Sequence, residues 1–169
     1  MASSTEGYAS FTLAGVDAVQ TQRVVEELAE WYGNSPLMRL ATVDLVLRPA
    51  GIHERDKVGA VGAIYRFVRD EVRFTEEAGE QVLSPGRTLA WRYGDCDDKT
   101  ALVCAMLESI RVRWKTALLG RLAGDGFRPF HILPYAFLQG VWVPLEVSDR
   151  RARPGEDPRD LMRRVSVQL

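Results

Sequence analysis

The chain has 169 residues, 46% of them hydrophobic, with 22 Lys and Arg against 23 Asp and Glu and a net charge of −1. That length and apolar share fit one domain with its own core. The near-neutral balance gives no electrostatic reason to expect nucleic acid, an anionic membrane or a strongly acidic partner. No apolar run approaches the ~18 residues of a membrane-spanning helix. Residues 1–7 are small and polar and lack the basic start and apolar block of a secretory signal. The two cysteines, Cys96 and Cys104, fall in one predicted helix, about 12 Å apart along its axis and too far to bridge. A reducing, cytoplasmic setting is therefore expected.

In chain order, a short strand is expected at 10–13. A helix follows over 18–32, with Val24, Val25, Leu28 and Trp31 at helical spacing. Gly33 and Asn34 stop it. Ser35 and Pro36 restart a helix as N-cap and first residue, running to about Leu47 before Pro49 and Gly51. A third helix spans 56–72 and buries Val61, Ile64, Tyr65, Val68 and Val72. Gly59 and Gly62 weaken it, which close packing would offset. Ser84-Pro85-Gly86 reads as a turn and 88–93 as a helical turn. The most apolar stretch, 101–107, lies in a helix over 96–110 and marks that helix as central.

The second half changes period. Strands are expected at 115–122, 131–138 and 141–147, with a turn at Gly124-Asp125-Gly126 and a hairpin turn at Gln139-Gly140. Residues 150–158 are charged and contain prolines, which suggests an exposed tail, with a last helical turn at 159–165. Helices first and antiparallel strands later indicate an α+β domain over 1–149. Its helical part covers about 18–72, its core about 84–149, and a charged tail fills 150–169.

The chemistry centres on Tyr93-Gly94-Asp95-Cys96-Asp97-Asp98-Lys99. Gly94 permits a tight approach of the backbone. Asp95 is a good N-cap and Asp98, three residues on, completes a capping-box-like pair. Cys96 then opens the central helix, where the positive end of the helix favours a thiolate. The three aspartates oppose that, so a cationic partner is needed. The chain has two histidines. His53 reads as a surface or capping residue. His131 begins a strand and is the better partner, giving a nucleophile and a base. Glu146 or Asp149 would orient the imidazole.

Gly94-Asp95-Cys96-Asp97-Asp98-Lys99, then His131, then Trp142-Val143-Pro144-Leu145-Glu146 resembles the transglutaminase-like superfamily over about 60–149. That family opens its core helix with a Gly-x-Cys motif, carries its His on a strand, and has a Trp-x-x-x-Asp on the next strand. The resemblance implies a papain-like cysteine-proteinase fold with a Cys-His-acid triad of Cys96, His131 and Glu146. It also implies a protein or peptide substrate and no cofactor. The Gly-Asp-Cys-Asp-Asp form is most similar to small microbial and bacteriophage members, which often sit among virion structural proteins. The resemblance thereby implies, as a second setting, a virion-associated location with virion or assembly partners. This chain departs from the family in having Glu146 for Asp and Pro134 within the strand after His131. The Cys96 N–H can supply one oxyanion donor; Gly94 and Asp95 support the site, and Trp91 and Tyr93 are candidate contributors.

Hairpin geometry favours Glu146 over Asp149. A two-residue turn pairs Leu138 with Val141, so Leu133 falls opposite Glu146 and His131 opposite Ser148. His131 and Glu146 then share a face as diagonal neighbours, roughly 7–8 Å apart at the backbone. Cys104 reads as core and Lys99 as solvent-facing. Asp95, Asp97 and Asp98 with Cys96 lack the second histidine or paired cysteines of a zinc site, so capping explains them better. Gly59, Gly62 and Gly79 form no phosphate loop. Arg150, Arg151 and Arg153 read as a solvated tail, and Trp142 as hairpin packing.

The leading expectation is amide chemistry through a thioester, hydrolytic as peptidase or amidase, or cross-linking if a lysine amine resolves the acyl-enzyme. A structural protein that has kept the fold is the alternative. A thiol redox protein is disfavoured because no Cys-x-x-Cys occurs.

Overall fold

The computed structural model describes residues 10–12, 18–76, 81–123 and 126–156. The expected strand end at Leu13, the turn residues Gly124 and Asp125, Gly79 and the helical turn at 159–165 lie outside them. The first strand, β1 (Ser10–Thr12), pairs antiparallel with β3 (Gln81–Leu83). Helix α1 (Ala18–Gly33) buries Val25, Leu28, Ala29 and Tyr32, an i, i+3, i+4, i+7 row on one face. Trp31, expected on that row, is 70% exposed and stands edge-on to Tyr32 at 4.7 Å.

Ser35 starts α2 (Pro36–Ala41) as the sequence predicts, accepting the Leu37 N–H, with Pro36 at the first position. The continuation is not α-helical: Thr42–Leu47 winds as a π-helix. The Thr42 hydroxyl donates to Met38 O at 2.8 Å and accepts from Ser109 Oγ at 3.1 Å, both buried. A hydroxyl engaging the i−4 carbonyl loosens the regular ladder, and this one also ties the widened turn to the central helix.

Asp56 caps α3 (Lys57–Glu71), accepting the Gly59 N–H. The expected face, Val61, Ile64, Tyr65, Val68 and Val72, is buried throughout. Past α3, β2 (Arg73–Phe74) pairs parallel with β4 (Tyr93–Gly94). Between them Ser84-Pro85 proves to be a helix start, not a turn. Ser84 accepts from Arg87 N and Pro85 opens α4 (Pro85–Trp91), which Arg92 ends in the left-handed region at φ 57°.

Helix α5 (Cys96–Ser109) is the centre of the molecule. Every residue from 98 to 107 is buried, and α1, α2, α3, α4 and β6 all pack on it. Each fully buried Leu or Met there contributes about 1.5–3 kcal/mol through removal from water. Strands β5 (Trp114–Ala123), β6 (Gly126–Leu138) and β7 (Val141–Pro144) form one antiparallel sheet in that order. Helix and sheet thus make an α+β fold. Gln139 (φ 49°) and Gly140 (φ 87°) both adopt positive φ, the type I′ hairpin turn, and Leu138 faces Val141.

Pro134 lies in the middle strand, where a missing N–H is normally costly. Its carbonyl accepts from Leu145 N at 2.9 Å, so its nitrogen faces the same side. There the β7 ladder has already ended at Pro144. The proline therefore takes nothing from the β5 ladder, whose register stays continuous through it, and forgoes only the return bond to Leu145, where the β7 ladder stops. Residues 150–156 are mostly exposed, as the charge pattern suggests, but they are anchored at two points. Ala152 is buried, its carbonyl accepts from Tyr65 Oη and Arg69 Nη1, and Gly155 N donates to Pro144 O. Among the described residues no helix is long and apolar enough to cross a membrane.

Candidate active site

The start of α5 is held by a closed set of hydrogen bonds. Asp95 Oδ1 accepts from Asp97 N at 3.0 Å and Asp98 N at 3.3 Å. Asp98 Oδ2 accepts in return from Asp95 N at 3.1 Å, completing the capping box. Asp98 is fully buried, and its other oxygen accepts from Leu83 N at 2.6 Å, tying β3 to the helix start. Gly94 is required here by space. A Cβ on it would stand 2.6 Å from Asp98 Cβ and 2.8 Å from Asp98 Oδ2.

This frame leaves Cys96 as the first helical residue, half-buried. Its thiol donates weakly to Asp97 Oδ1 at 3.5 Å, and the Ile132 N–H donates to Sγ. Burial, followed by the charges of Asp97 and Asp95, pushes the thiol well above its ordinary pKa. That environment favours the protonated thiol over the thiolate. Asp95 is itself pushed up by burial, against the three backbone N–H groups that favour its charge.

Across the cavity, β6 carries a bulge beside His131. Leu119 pairs with His131 but Gly120 pairs with Pro129, so Phe130 is the extra residue, 52% exposed. Such a bulge re-aims the neighbouring side chain. The His131 ring meets the carboxylate of Glu146, with Nε2 to Oε2 at 2.5 Å. Glu146 is 5% exposed, and its second oxygen accepts from Ser148 N at 2.7 Å and Asp149 N at 3.4 Å. In the tautomer whose Nε2–H donates to the carboxylate, the ring's lone pair lies at Nδ1.

Cys96 and His131 line one cavity of about 170 Å³, together with Asp95, Asp97, Gln81 and Phe130. Cys96, His131 and Glu146, singled out in the sequence, are thus brought together. Asp149 is turned away: Arg151 binds both its oxygens at 3.0 and 2.9 Å and holds its carboxyl below the usual range. Trp91 and Tyr93 stack on each other at 5.4 Å and do not line the cavity. Gln81 and the Ile132 N–H were not identified in the sequence. No local signal marks either, since both arrive through tertiary pairing.

Lys99 is the sharpest correction. Expected in solvent, it is 1% exposed and its Nζ donates to Val72 O at 2.8 Å. Burial first, then the charge of Arg150, brings its pKa down to about 8. Cys104, by contrast, is fully buried in the core as expected. His53 is exposed, and its Nδ1 accepts from Arg55 N.

Asp95, Cys96 and Asp97 bring ligand atoms within 4.8 Å of one another. The Asp95 oxygen Oδ1 is already engaged by two helix N–H groups, which fits a cap better than a cation ligand. The arrangement can perform nucleophilic acyl transfer. A thiol stands at a helix start, a histidine ring is oriented by a buried carboxylate, and of the first-turn N–H groups of α5 that of Cys96 is not taken by the Asp95 side chain.

No family model matches the chain, and no curated protein matches it. One solved structure that does is a candidate cysteine protease from Cytophaga hutchinsonii, 14% identical, with a TM-score of 0.42 over 83% of this chain. The present chain spans about half of that protein, 49% of its length. A likeness that loose assigns no family and adds no weight to the geometry of the site.

Proposed function

We propose that the protein is a cysteine enzyme of transglutaminase-like, papain-like type that cleaves or exchanges amide bonds of proteins or peptides through a thioester. The carrying observation is the contact between His131 Nε2 and Glu146 in a cavity shared with Cys96. Because the thiol rests protonated, His131 Nδ1 takes its proton as Sγ attacks the carbonyl carbon. The carbonyl electrons move to oxygen, opposite the N–H of Cys96. Collapse expels the amine, which takes the proton from His131 and leaves a thioester on Cys96. Water, deprotonated by His131, then releases the acid; a lysine amine in its place gives a cross-link. Glu146 holds the ring and balances the imidazolium in both half-reactions.

Hydrolysis is the favoured outcome, as expected of microbial members of that superfamily. The cytoplasm, or a virion in which the substrate is an assembly protein, is the setting. One observation favours a second reading, a catalytically silent structural protein: burial and two aspartates hold the Cys96 thiol up. Intact-mass analysis after exposure to an activated acyl ester separates the two. The enzyme reading expects one acyl adduct on Cys96, absent in Cys96→Ala and slowed in His131→Ala. Its decay in water against added alkylamine distinguishes hydrolysis from transfer. No adduct on Cys96 would leave the structural reading.

A further inference from the structure

The end of β7 leaves one edge of β6 open, and the start of α5 fills it. The β6–β7 pairing stops at Tyr135 and Pro144, while the Pro134 carbonyl still faces that side and accepts from Leu145 N. Backbone groups two residues apart on a strand face the same edge, and the register through Ile132 and Pro134 is continuous. The N–H and carbonyl of Ile132 therefore point past the end of β7, toward α5. The carbonyl accepts from Thr100 Oγ1 at 3.3 Å, a buried contact, and the N–H donates to Cys96 Sγ. Cys96 and Thr100 lie four residues apart on α5, one turn along the same face. Among the described residues, the other buried helical threonines behave differently. Thr42 and Thr88 each donate to the carbonyl four residues back, Met38 O at 2.8 Å and Ser84 O at 3.2 Å. Thr100, 1% exposed, instead sends its hydroxyl across to the strand.

We infer that Thr100 is a positioning residue of the site, a hydroxyl that holds the Ile132 peptide against α5 and so sets the separation of Cys96 from His131. The inference rests on the triad reading. Its physical basis is connectivity. His131 adjoins Ile132, and on its other side β6 bulges at Phe130, where the ladder to β5 is locally disrupted. The strand is thus least constrained by its own sheet just before the base. The Thr100 bond restrains it one residue beyond His131, from the helix that carries the nucleophile. Glu146 fixes the rotation of the ring; Thr100 fixes how far the backbone of the ring stands from the thiol. Proton transfer and attack depend steeply on placement, and about 1 Å of slack is enough to slow them.

The test is the rate of acylation of Cys96 by an activated acyl ester, followed by intact mass in the full chain well below its melting temperature. Thr100→Val keeps the shape of the side chain and removes the donor. It is expected to slow acylation by about tenfold, while Thr100→Ser, which keeps the hydroxyl, stays within about twofold of wild type. In a His131→Ala background Thr100→Val is expected to have little further effect, because Thr100 acts through the placing of that base. A hydroxyl that serves only the fold would lower the melting temperature in both backgrounds and leave the rate of the folded protein unchanged. Should Thr100→Val not fold, Thr100→Ala against Thr100→Ser, which differ by the hydroxyl alone, gives the same comparison. A wild-type rate in the folded variant without the hydroxyl overturns the inference. So does an equal slowing in the His131→Ala background, or Thr100→Ser as slow as Thr100→Val. Failure of both Thr100→Val and Thr100→Ala to fold overturns it too, since the hydroxyl would then serve the fold. If Cys96 acylates with dependence on His131 but not on Thr100, this inference alone fails. If the wild-type chain forms no adduct on Cys96, the enzyme reading fails and this inference with it.

Discussion

Replacing Lys99 by Met should stabilise the protein at neutral pH. In the fold the ammonium loses its proton near pH 8 instead of 10.5. Its folded-state pKa is thus depressed by about 2.5 units, or about 3 kcal/mol at 1.36 kcal/mol per unit. The sign follows from proton counting. Between pH 8 and 10.5 the unfolded chain binds more protons than the folded one, so stability rises with pH across that window. Below it the folded protein carries the full cost of a buried charge. With its side chain 1% exposed, the ammonium is little screened by solvent, and the figure is an upper value. Methionine is close in volume and removes the charge, but it also deletes the bond to Val72 O, which costs about 1 kcal/mol. The net gain is about 2 kcal/mol near pH 7, or about 4–8 °C in Tm for a domain of this size. Differential scanning calorimetry at several pH values from 7 to 10 reads it. The gap between variant and wild type should shrink steadily as pH rises. A constant gap, or a variant less stable at pH 7, would refute the view that Lys99 is a costly buried cation.

Other perturbations test the site directly. Glu146→Gln should lower acyl transfer by about 100-fold or more, while Asp149→Asn, whose carboxylate is bound to Arg151, should change it less than about threefold. The reverse ranking in a steady-state assay would reassign the acid. Asp97→Asn removes a charge that raises the Cys96 thiol; iodoacetamide labelling near pH 8 should quicken severalfold, with Cys104 unlabelled in both proteins. Gly94→Ala should cost about 1–3 kcal/mol by overpacking against Asp98. Circular dichroism melts would show that loss, and an unchanged melt would mean that the helix start yields to an added methyl group.

Much of this architecture is written in short-range chemistry. Asp95 and Asp98 stand at cap spacing, so the helix start and the place of Cys96 arise from local hydrogen bonding. Gln139-Gly140 demands a two-residue turn, and that turn sets the β6–β7 register as far as Tyr135 and Pro144; the strand expected to run to 147 stops there, and Glu146 meets His131 from the loop beyond it. What the sequence withheld depends on tertiary choices. Val24, Val25, Leu28 and Trp31 make a helical row, but so do Val25, Leu28, Ala29 and Tyr32. Only packing against α5 decides between them. Lys99 reads as surface because lysine nearly always is; its burial results from α5 being enclosed on all sides. The π-helix is tied to α5 by a Thr42–Ser109 contact across 67 residues, which no local pattern announces. Trp91 and Tyr93 precede the nucleophile in sequence, yet the left-handed Arg92 between them turns the chain into β4, and they pack on each other outside the cavity. Residues 150–156 carry charge but also Ala152, whose carbonyl finds two donors on α3.

The same carboxylates that place the Cys96 thiol also work against its ionisation. Asp95 and Asp98 fix the first turn of α5, and Asp95 and Asp97 then raise the thiol they have positioned. A thiolate is disfavoured in that field, so on the proposed mechanism proton transfer to His131 accompanies attack and the orientation of the ring matters. The orientation comes from one carboxylate whose two oxygens are both occupied, Oε2 by the ring and Oε1 by the N–H groups of Ser148 and Asp149. Those backbone donors fix Glu146 along the loop after β7, so the placing of the His131 ring depends on that loop keeping its position against β6.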